Sequence, residues 1–509
     1  MSFASLAQTA IEPLVERFSD ADEITLLVGA GASMESDLPS WPRLIEKLLS
    51  SVARQDGELS TAELQRTWVE QTIHRDDLLG AGAVVEAMAT EPLERLIPDQ
   101  LYGPDGPSKY VPGPIADQVA HLRACFGERL EILTTNYDDL IEEALINSGV
   151  APSSRVPSYI QYRRPARRAA GSSGVVHLHG LAGRRGGPRK IVLTEEHYHR
   201  MQRGTCWQER LVTRCLERSL CLFVGTSLSD PNLIRYLYGH KRSDPRGHAA
   251  IFVRQGELDA PAEVRAALER SATERWARCG VEAIFVDHFA DAAQLLYEIA
   301  YRKRVGADAY VPVGGRAADL IEQIERGLLL VDEGQQRFAQ RQVELSDLLR
   351  QLLNSILPLT YGRRLPRREK FGLALWLLSR DGTQITGWAH SDRAHQDPAT
   401  VEPVRIDAAS KWVAVRAVCQ GVRVQSDVDN YSSRWRFIRG LPLVVGKPSR
   451  LPIGCLTLTS TVDGEHSALT GMSESGRSAL HSALTEIVCD LISHFALASA
   501  SAQPPHSQS

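Results

Sequence analysis

The sequence lacks several features that would place it in a specialised class of protein. No apolar run reaches the roughly 18 residues that span a bilayer. The first segment, MSFASLAQTAIEPLVERF, contains two Glu and has no basic stretch before an apolar one, as a secretory signal would. We therefore expect a cytoplasmic protein with no membrane partner. The formal net charge is only -4, which argues against a protein that mainly coats nucleic acid.

Paired cysteines are missing as well. The eight cysteines are scattered, and no C-x-x-C pair occurs, so we predict buried, reduced thiols and no four-cysteine zinc site. Basic residues do cluster, as RRPARR at 163–168 and RRGGPRK at 184–190. We interpret these clusters as solvated loops in preference to a polyanion site.

What the sequence does contain is a series of apolar strands in its first 300 residues. They occupy residues 24–31, 130–136, 174–180, 221–227, 249–254 and 282–287. Continuous Val, Ile and Leu runs with helical segments between them predict a mostly parallel sheet buried on both faces. We expect an α/β, Rossmann-like fold with helical insertions. Five of these strands end in segments suited to a nucleotide, namely GAGAS, TTNYD, HLHG, GTSLSD and VDH, and parallel sheets bind ligands at that end.

The first of these segments, ITLLVGAGASMESDLPSW at 24–41, has the form of a strand that leads into a phosphate-binding helix start. It does not match the common nucleotide fingerprints. A dinucleotide-binding motif needs a third glycine where Met34 stands, and no Lys-Ser or Lys-Thr follows Gly29 at phosphate-loop spacing. Alone, the stretch is equally compatible with a tight strand-to-helix turn.

Four motifs in order carry a resemblance. GAGAS, TTNYDDLIEEAL, VVHLHG and FVGTSLSDPNL resemble the sirtuin family over about residues 20–300, and in particular its bacterial branch of NAD-hydrolysing defence proteins. The resemblance implies that Asn136 lies beside the nicotinamide ribose and that His179 is the catalytic histidine. It implies further NAD-binding positions at Gly29, Ala30, Gly31, Ser33, Thr134, Asp138, Gly225, Thr226, Ser227, Asp230 and Asn232. We add Asp287, which ends the last strand.

The chemistry of NAD cleavage suits these residue types. Loss of nicotinamide builds positive charge on the ribose, as in glycoside hydrolysis. An asparagine can orient a water or a ribose hydroxyl without adding charge, and a histidine can relay a ribose proton near neutral pH. An aspartate that accepts a hydrogen bond from the carboxamide, here Asp138, would fix the nicotinamide ring.

Some residues have an alternative interpretation. His177 and His179 are two apart, so both side chains could reach the pocket from one strand face, although the motif position favours His179. Asp230 could cap the helix that starts near Pro231 instead of meeting the ligand. His197 and His199 point apart on a helix, which favours surface or core roles over a metal pair.

The sequence also departs from deacetylating sirtuins. Those enzymes carry a zinc module of four cysteines, whereas residues 180–220 contain only Cys206 and Cys215. Asp37 and Trp41 also replace residues of the sirtuin loop. We therefore predict an NAD glycohydrolase that uses NAD as substrate, needs no metal and releases nicotinamide and ADP-ribose. A sensor that binds NAD or ADP-ribose without turnover is the alternative, and a zinc-free protein deacylase is a weaker one.

The remaining two fifths of the chain have a different pattern. A long amphipathic helix is predicted at 319–353, followed by a hairpin in FGLALWLLSRDGTQITGWAH, a second strand pair in RGLPLVVGKPSRLPIGCLTLTST and a closing helix. This order resembles a GAF-type sensor domain. The resemblance implies a small-molecule or cyclic-nucleotide trigger and a homo-oligomer, either a dimer or a tetramer.

Together these patterns predict a division of the chain and a role for it. We expect an NAD-hydrolysing domain at 1–304, a helical connector at 305–355, a GAF-like domain at 356–498 and a disordered tail at 499–509. The protein would then be a triggered effector of bacterial anti-phage defence that acts by NAD depletion. A phage or defence-system protein is a further expected partner.

Overall fold

The computed structural model falls into two compact units, Leu14–Ala307 and Met1–Pro13 with Asp308–Ser509. It describes residues 11–104, 106–150, 158–159, 174–183, 190–201, 206–239, 247–254, 260–329, 335–361, 365–395, 397, 401–407, 410–421, 423–428, 433–445, 451–472, 476, 479–488 and 490. The basic cluster at 163–168, nearly all of the cluster at 184–190 and the predicted tail at 499–509 lie outside the described residues. The domain limits given above remain predictions.

The unit Leu14–Ala307 is built on one parallel sheet. Its strands are β1 (Ile24–Val28), β2 (Leu130–Thr134), β3 (Ser158–Tyr159), β4 (Val175–His177), β5 (Leu220–Val224), β6 (His248–Val253) and β7 (Val281–Val286). Their order is β3-β4-β2-β1-β5-β6-β7, and every pairing is parallel. The α/β fold class and the six apolar strands are thereby confirmed. The seventh strand, β3, has two residues and no apolar run that would predict it.

Helices connect these strands. They are α1 (Ile11–Asp20), α2 (Gly31–Met34), α3 (Trp41–Ala53), α4 (Ala62–Met88), α5 (Leu93–Tyr102), α6 (Pro114–Phe126), α7 (Leu140–Asn147), α8 (Glu195–Met201), α9 (Trp207–Arg218), α10 (Pro231–Gly239), α11 (Ala262–Ala277) and α12 (Phe289–Val305). The helices from α3 to α6 confirm the expected helical insertions. Their buried Leu and Ile side chains join residues such as Leu140 and Leu193 in a core cluster beside the cavity described below.

The sheet is buried because its strands are apolar on both faces. All five residues of β1 and of β5 are buried. Leu27, Leu133 and Phe223 belong to one core cluster on a single face. Burial of each such side chain contributes about 1.5–3 kcal/mol to stability. This burial stabilises the observed register of the central strands.

The order of the strands creates a crevice. From β1 the chain first builds the sheet on one side, through β2, and later returns to the other side of β1 to form β5. Loops that leave the carboxyl ends of β1, β2 and β5 therefore diverge around β1, and ligands of open α/β sheets bind at such a reversal. The fold places the motifs after β1, β2, β4 and β5 at this edge.

The second unit contains an antiparallel sheet. Its strands are β8 (Phe371–Leu378), β9 (Gln384–His390), β10 (Pro403–Arg405), β11 (Val424–Asp427), β12 (Phe437–Val445) and β13 (Leu451–Ser460), in the order β10-β9-β8-β13-β12-β11. Both predicted strand pairs are confirmed, β8 with β9 and β12 with β13. The turn of the second pair, at 446–450, lies outside the described residues.

Helices flank this antiparallel sheet. They are α13 (Val313–Leu329), α14 (Gln335–Tyr361), α15 (Val413–Gln420) and α16 (Ala468–Gly471), and residues 479–488 are also helical. The single long helix predicted at 319–353 falls on α13 and α14, on either side of residues 330–334, which are not described. Helix α15 packs closely on β12, since a Cβ on Gly440 would lie 2.9 Å from Ala417 Cβ. Across the described parts of both units, no helix combines the length and apolar character needed to cross a bilayer.

Candidate active site

Two glycine-containing loops interlock at the carboxyl ends of β1 and β5. The N–H of Gly31 donates to Gly225 O at 2.8 Å, and the N–H of Gly29 donates to Val224 O at 2.9 Å. A Cβ on Gly29 would lie 2.5 Å from Gly225 O. Gly225 has φ +65, and a Cβ there would lie 2.6 Å from Ala32 N. The close approach of the two backbones therefore requires these glycines.

The N–H groups of the first loop already have partners within the protein. Besides Gly29 and Gly31, Ala32 donates to Gly29 O and Ser33 donates to Ala30 O, each at 3.0 Å. We expected these N–H groups to meet a pyrophosphate, and that contact remains a prediction. What the loop contributes to the site in this structure is its backbone wall and the Ser33 hydroxyl.

Ser33 links the loop after β1 to the loop after β2. Its hydroxyl donates to Asp138 Oδ2 at 2.9 Å and accepts from Asn136 Nδ2 at 3.1 Å. Asp138 Oδ1 accepts from the N–H of Leu140 at 3.2 Å, at the start of α7. Burial raises the pKa of Asp138, and the hydrogen bonds from Ser33 and Leu140 offset only part of that effect. These two donors therefore stabilise the ionised form of the Asp138 carboxyl group, which burial disfavours.

Asn136 is fixed on three sides. Its N–H donates to Thr134 Oγ1 at 3.0 Å, its backbone oxygen lies 3.0 Å from His177 Nδ1, and its side-chain amide donates to Ser33. Its Oδ1 is buried and has no hydrogen-bond partner among the described residues. Asn136 also lines the cavity described below. A buried acceptor of this kind is costly unless a ligand or water satisfies it, which makes Oδ1 the strongest single sign of a binding site.

His177 is a structural residue. It is fully buried, and its Nε2 lies 2.8 Å from Glu142 Oε1. Burial alone would lower the pKa of His177, but the Glu142 carboxylate raises it on balance. Strand β4 ends at His177, and the backbone then turns through Gly180, which has φ +93. His179 therefore lies beyond the strand and lines the cavity, whereas His177 does not.

His179 faces a carboxylate. Its Nε2 lies 3.0 Å from Asp230 Oδ2, which also accepts from the Tyr198 hydroxyl at 3.0 Å. The second oxygen, Asp230 Oδ1, accepts from the N–H groups of Asn232 and Leu233 at 2.8 and 2.9 Å. Asp230 thus caps α10 and also contacts the histidine. Burial would raise the pKa of Asp230, but His179 and the hydrogen bonds lower it on balance.

These groups surround a cavity of about 360 Å³, a volume within the range of small-molecule sites. Most of the predicted residues line it, namely Gly29, Ala30, Gly31, Ser33, Asn136, Asp138, His179, Gly225, Thr226, Ser227 and Asp230. The sequence analysis did not assign the other lining residues, which are Met34, Leu38, Pro39, Ser40, Trp41, Pro42, Leu44, Leu78, Leu101, Thr135, Tyr137, Tyr198, Ser229 and Phe289. The cavity therefore has a polar side at the strand ends and an apolar side that α3 to α5 help to form.

Three predicted binding residues do not line this cavity. Thr134 is buried beneath it, where its hydroxyl donates to Val28 O at 2.9 Å and accepts from Asn136. Asn232 is buried in the first turn of α10. Asp287 forms an ion pair with Arg254 at 2.9 Å. Thr134 supports the site from behind, and Asn232 and Asp287 lie outside the lining of this cavity.

Tyr198 is the most informative residue that sequence reasoning missed. It lies in EEHYHR, a segment noticed only for its histidines, and it does not follow a strand. Its ring contacts His179 edge-on, with 5.5 Å between centroids. The apolar side of the cavity includes Leu38, Pro39 and Trp41, which stand together in the sequence segment LPSW. An apolar loop after a strand does not by itself predict a cavity, so the sequence contains no specific indication of this side.

Comparison with known proteins gives an independent view of this region. The chain is 26% identical to the NAD(+) hydrolase ThsA of Acinetobacter baumannii (strain 532279) over 179 residues, which is 34% of this chain and 36% of that protein. The chain thus matches about a third of the length of this curated relative.

Solved structures also resemble parts of the chain. A SIR2 homologue in complex with NAD is 14% identical and has a TM-score of 0.27, covering 57% of this chain and 94% of the other. A mutant Sir2 homologue in complex with ADP-ribose is 15% identical and has a TM-score of 0.27, covering 58% and 98%. A GAF sensor protein from Burkholderia vietnamiensis is 19% identical with a TM-score of 0.19, covering 33% and 88%. Residues 130–284, which supply β2 to β6, most of β7 and the predicted catalytic pair, match the SIR2-like domain family.

Proposed function

We propose that this protein hydrolyses NAD to nicotinamide and ADP-ribose. The observation that carries the proposal is the pairing of two groups on one cavity wall. One is the buried Oδ1 of Asn136, which has no hydrogen-bond partner in the described part of the chain. The other is the imidazole of His179, which a carboxylate contacts. The match to the SIR2-like domain family and the similarity to an NAD(+) hydrolase support NAD as the substrate.

The reaction needs one bond broken and one formed. The bond from ribose C1′ to the nicotinamide nitrogen breaks, its electron pair leaves with neutral nicotinamide, and a water oxygen bonds to C1′ as a proton is released. Asn136 Oδ1 accepts a hydrogen bond from that water or from a ribose hydroxyl. His179 accepts the proton that is released when the water oxygen bonds to C1′. This division of work stabilises the positive ribose without placing a fixed positive charge beside it.

The rest of the cavity suits the nicotinamide side of the bond that breaks. Asp138 would accept from the carboxamide of nicotinamide, and its low exposure strengthens that hydrogen bond. Leu38, Pro39 and Trp41 form an apolar wall on which a flat ring can pack. Such a wall also limits the water near the reacting carbon to what Asn136 can hold.

The test is nicotinamide release by the purified full-length chain, followed by chromatography. We expect release with the wild-type protein and a loss on the order of 100-fold or more for His179→Ala and Asn136→Ala. His199→Ala is the matched control, because His199 is exposed on α8. Equal rates for the wild type and His179→Ala would contradict the mechanism. Binding of ADP-ribose without any release would favour the NAD sensor, and release only with an acetylated peptide would favour the deacylase.

We extend the proposal to the second unit as a GAF-like sensor or assembly module that controls hydrolysis. Its antiparallel sheet with flanking helices α13 and α14 is the observation behind this part. Mass measurement with and without cyclic nucleotides should show a dimer or tetramer and a change on binding. A monomer that binds none of the candidate ligands would contradict the proposed role of the second unit, but not the proposed NAD hydrolysis.

The defence role belongs to the same proposal. Cells that carry the wild-type chain should lose NAD and resist phage, whereas cells with His179→Ala should not. Phage resistance retained by His179→Ala would separate defence from NAD hydrolysis. That outcome would contradict the defence role but not the proposed hydrolysis of NAD by the purified protein.

A further inference from the structure

The histidine of the site is held by a buried network to which the steps described above assign no role. Tyr198 Oη and His179 Nε2 both lie 3.0 Å from the same oxygen, Asp230 Oδ2. The side chains of His179 and Asp230 are 9% and 14% exposed. A carboxylate oxygen between two potential donors can only accept from both.

This geometry determines where the histidine carries its hydrogen. An ionised carboxylate has no hydrogen to donate, so the imidazole must present Nε2–H to Asp230. In neutral histidine the other nitrogen, Nδ1, then keeps its lone pair. His179 and the hydrogen bonds from Leu233 and Tyr198 keep the pKa of Asp230 below its ordinary value despite burial, which supports the ionised state.

We propose that Asp230 and Tyr198 are positioning residues that hold His179 with hydrogen on Nε2, so that Nδ1 is the atom that exchanges the proton in NAD hydrolysis. This inference rests on the proposed function and assigns Asp230 a different role from the ligand contact expected from sequence. The second oxygen of Asp230 anchors the pair, since it caps α10 through Asn232 and Leu233.

The Asp230→Asn variant separates positioning from capping. Asparagine caps helices as well as aspartate does, so α10 is retained. Its side-chain amide can however donate to Nε2, which favours the opposite tautomer. We expect kcat to fall by roughly 100- to 10,000-fold with a much smaller change in KM. A rise in KM at unchanged kcat would instead show that Asp230 contacts the ligand, and wild-type values would show that it only caps the helix.

Tyr198→Phe gives a second readout of positioning. It leaves the Asp230 carboxylate in place but removes one of the two donors to Asp230 Oδ2. We expect kcat to fall roughly 3- to 10-fold with KM nearly unchanged. Tyr238→Phe, on the exposed part of α10, is the control and should keep the wild-type kcat. A wild-type kcat in Tyr198→Phe would show that Tyr198 does not position His179.

A measurement without turnover keeps the inference separate from the proposed function. If the wild-type protein releases no nicotinamide, the proposed function fails. The tautomer can still be determined by nitrogen NMR spectroscopy, with the His179 signals assigned by their loss in His179→Ala. We expect a protonated Nε2 and an unprotonated Nδ1 in the wild type, and the reverse in Asp230→Asn. The same tautomer in both proteins, or a protonated Nδ1 in the wild type, would contradict the assignment.

Discussion

Ser33 Oγ lies 2.9 Å from Asp138 Oδ2, although 105 residues separate the two along the chain. The same oxygen of Ser33 accepts from the side-chain amide of Asn136. One hydroxyl therefore holds a buried carboxyl group and the predicted water-orienting amide in fixed relation. The loop after β1 acts on the site through this side chain as well as through its backbone.

We predict that Ser33→Ala lowers activity without unfolding the protein. A hydrogen bond to a charged group contributes about 1.5–3 kcal/mol, so kcat/KM for NAD should fall roughly 10- to 100-fold. Ser271→Ala removes an exposed helical hydroxyl that donates to Ala267 O, and it should be neutral. Steady-state kinetics on both variants provide the test. Unchanged kinetics for Ser33→Ala would mean that Asn136 and Asp138 are held in other ways.

We predict that Glu142→Gln changes how stability depends on pH. Because the pKa of buried His177 is raised from its ordinary 6.5, the folded state binds its proton more tightly than the unfolded state does. This contribution is fully present below about pH 6.5 and is lost as the pH rises through the folded-state pKa. Thermal unfolding measured between pH 5 and 9 should show that loss in the wild type and a smaller one in Glu142→Gln. Parallel curves for the two proteins would argue that the pair does not set the protonation of His177.

We predict that Gly225→Ala disrupts the interlocked loops. Alanine at φ +65 is strained, and its Cβ would meet backbone atoms of the loop after β1. The variant should be destabilised by about 1–3 kcal/mol and should lose binding of ADP-ribose. Gly57→Ala is the control, since no atom lies within 4 Å of a Cβ there. Calorimetry with and without ADP-ribose measures both effects, and retained binding in Gly225→Ala would show that the loops need not interlock.

We predict that Glu369→Ala destabilises the second unit. The buried carboxylate accepts from the hydroxyls of Ser460 and Ser467 at 2.6 and 2.7 Å and from the N–H of Ala468. Its removal leaves buried donors without an acceptor, at a cost of about 2–4 kcal/mol. Glu465→Ala, an exposed change nearby, should cost nothing measurable. Denaturant unfolding of both variants decides the matter, and equal midpoints would show that water replaces the carboxylate.

The strands were predictable because their physics is local. Five consecutive buried residues in β1 and β5 need a nearly continuous apolar run, with Thr25 as the polar exception in β1, and the sequence displays this directly. The position of the site also follows from local features, since the motifs stand at strand ends and parallel strands bring those ends to one edge. The α/β class and the cavity wall from Gly29 to Asp230 could therefore be anticipated.

The hydrogen-bond partners could not be anticipated, because they depend on where strands stop and how distant helices pack. The rule that residues two apart share a face fails between His177 and His179, since β4 ends at the first of them. Tyr198 reaches Asp230 from a helix with no motif of its own. Both outcomes need the geometry of the folded chain.

The interlock of Gly29 and Gly31 with Gly225 has a practical consequence for anyone who divides this chain. About 200 residues separate the two loops, yet the N–H groups of Gly29 and Gly31 donate to the backbone at the end of β5. An expression fragment that begins after β1, or that stops before β5, lacks one of these loops and the backbone hydrogen bonds that join them. Only fragments that retain both loops can be expected to report on the chemistry of the site.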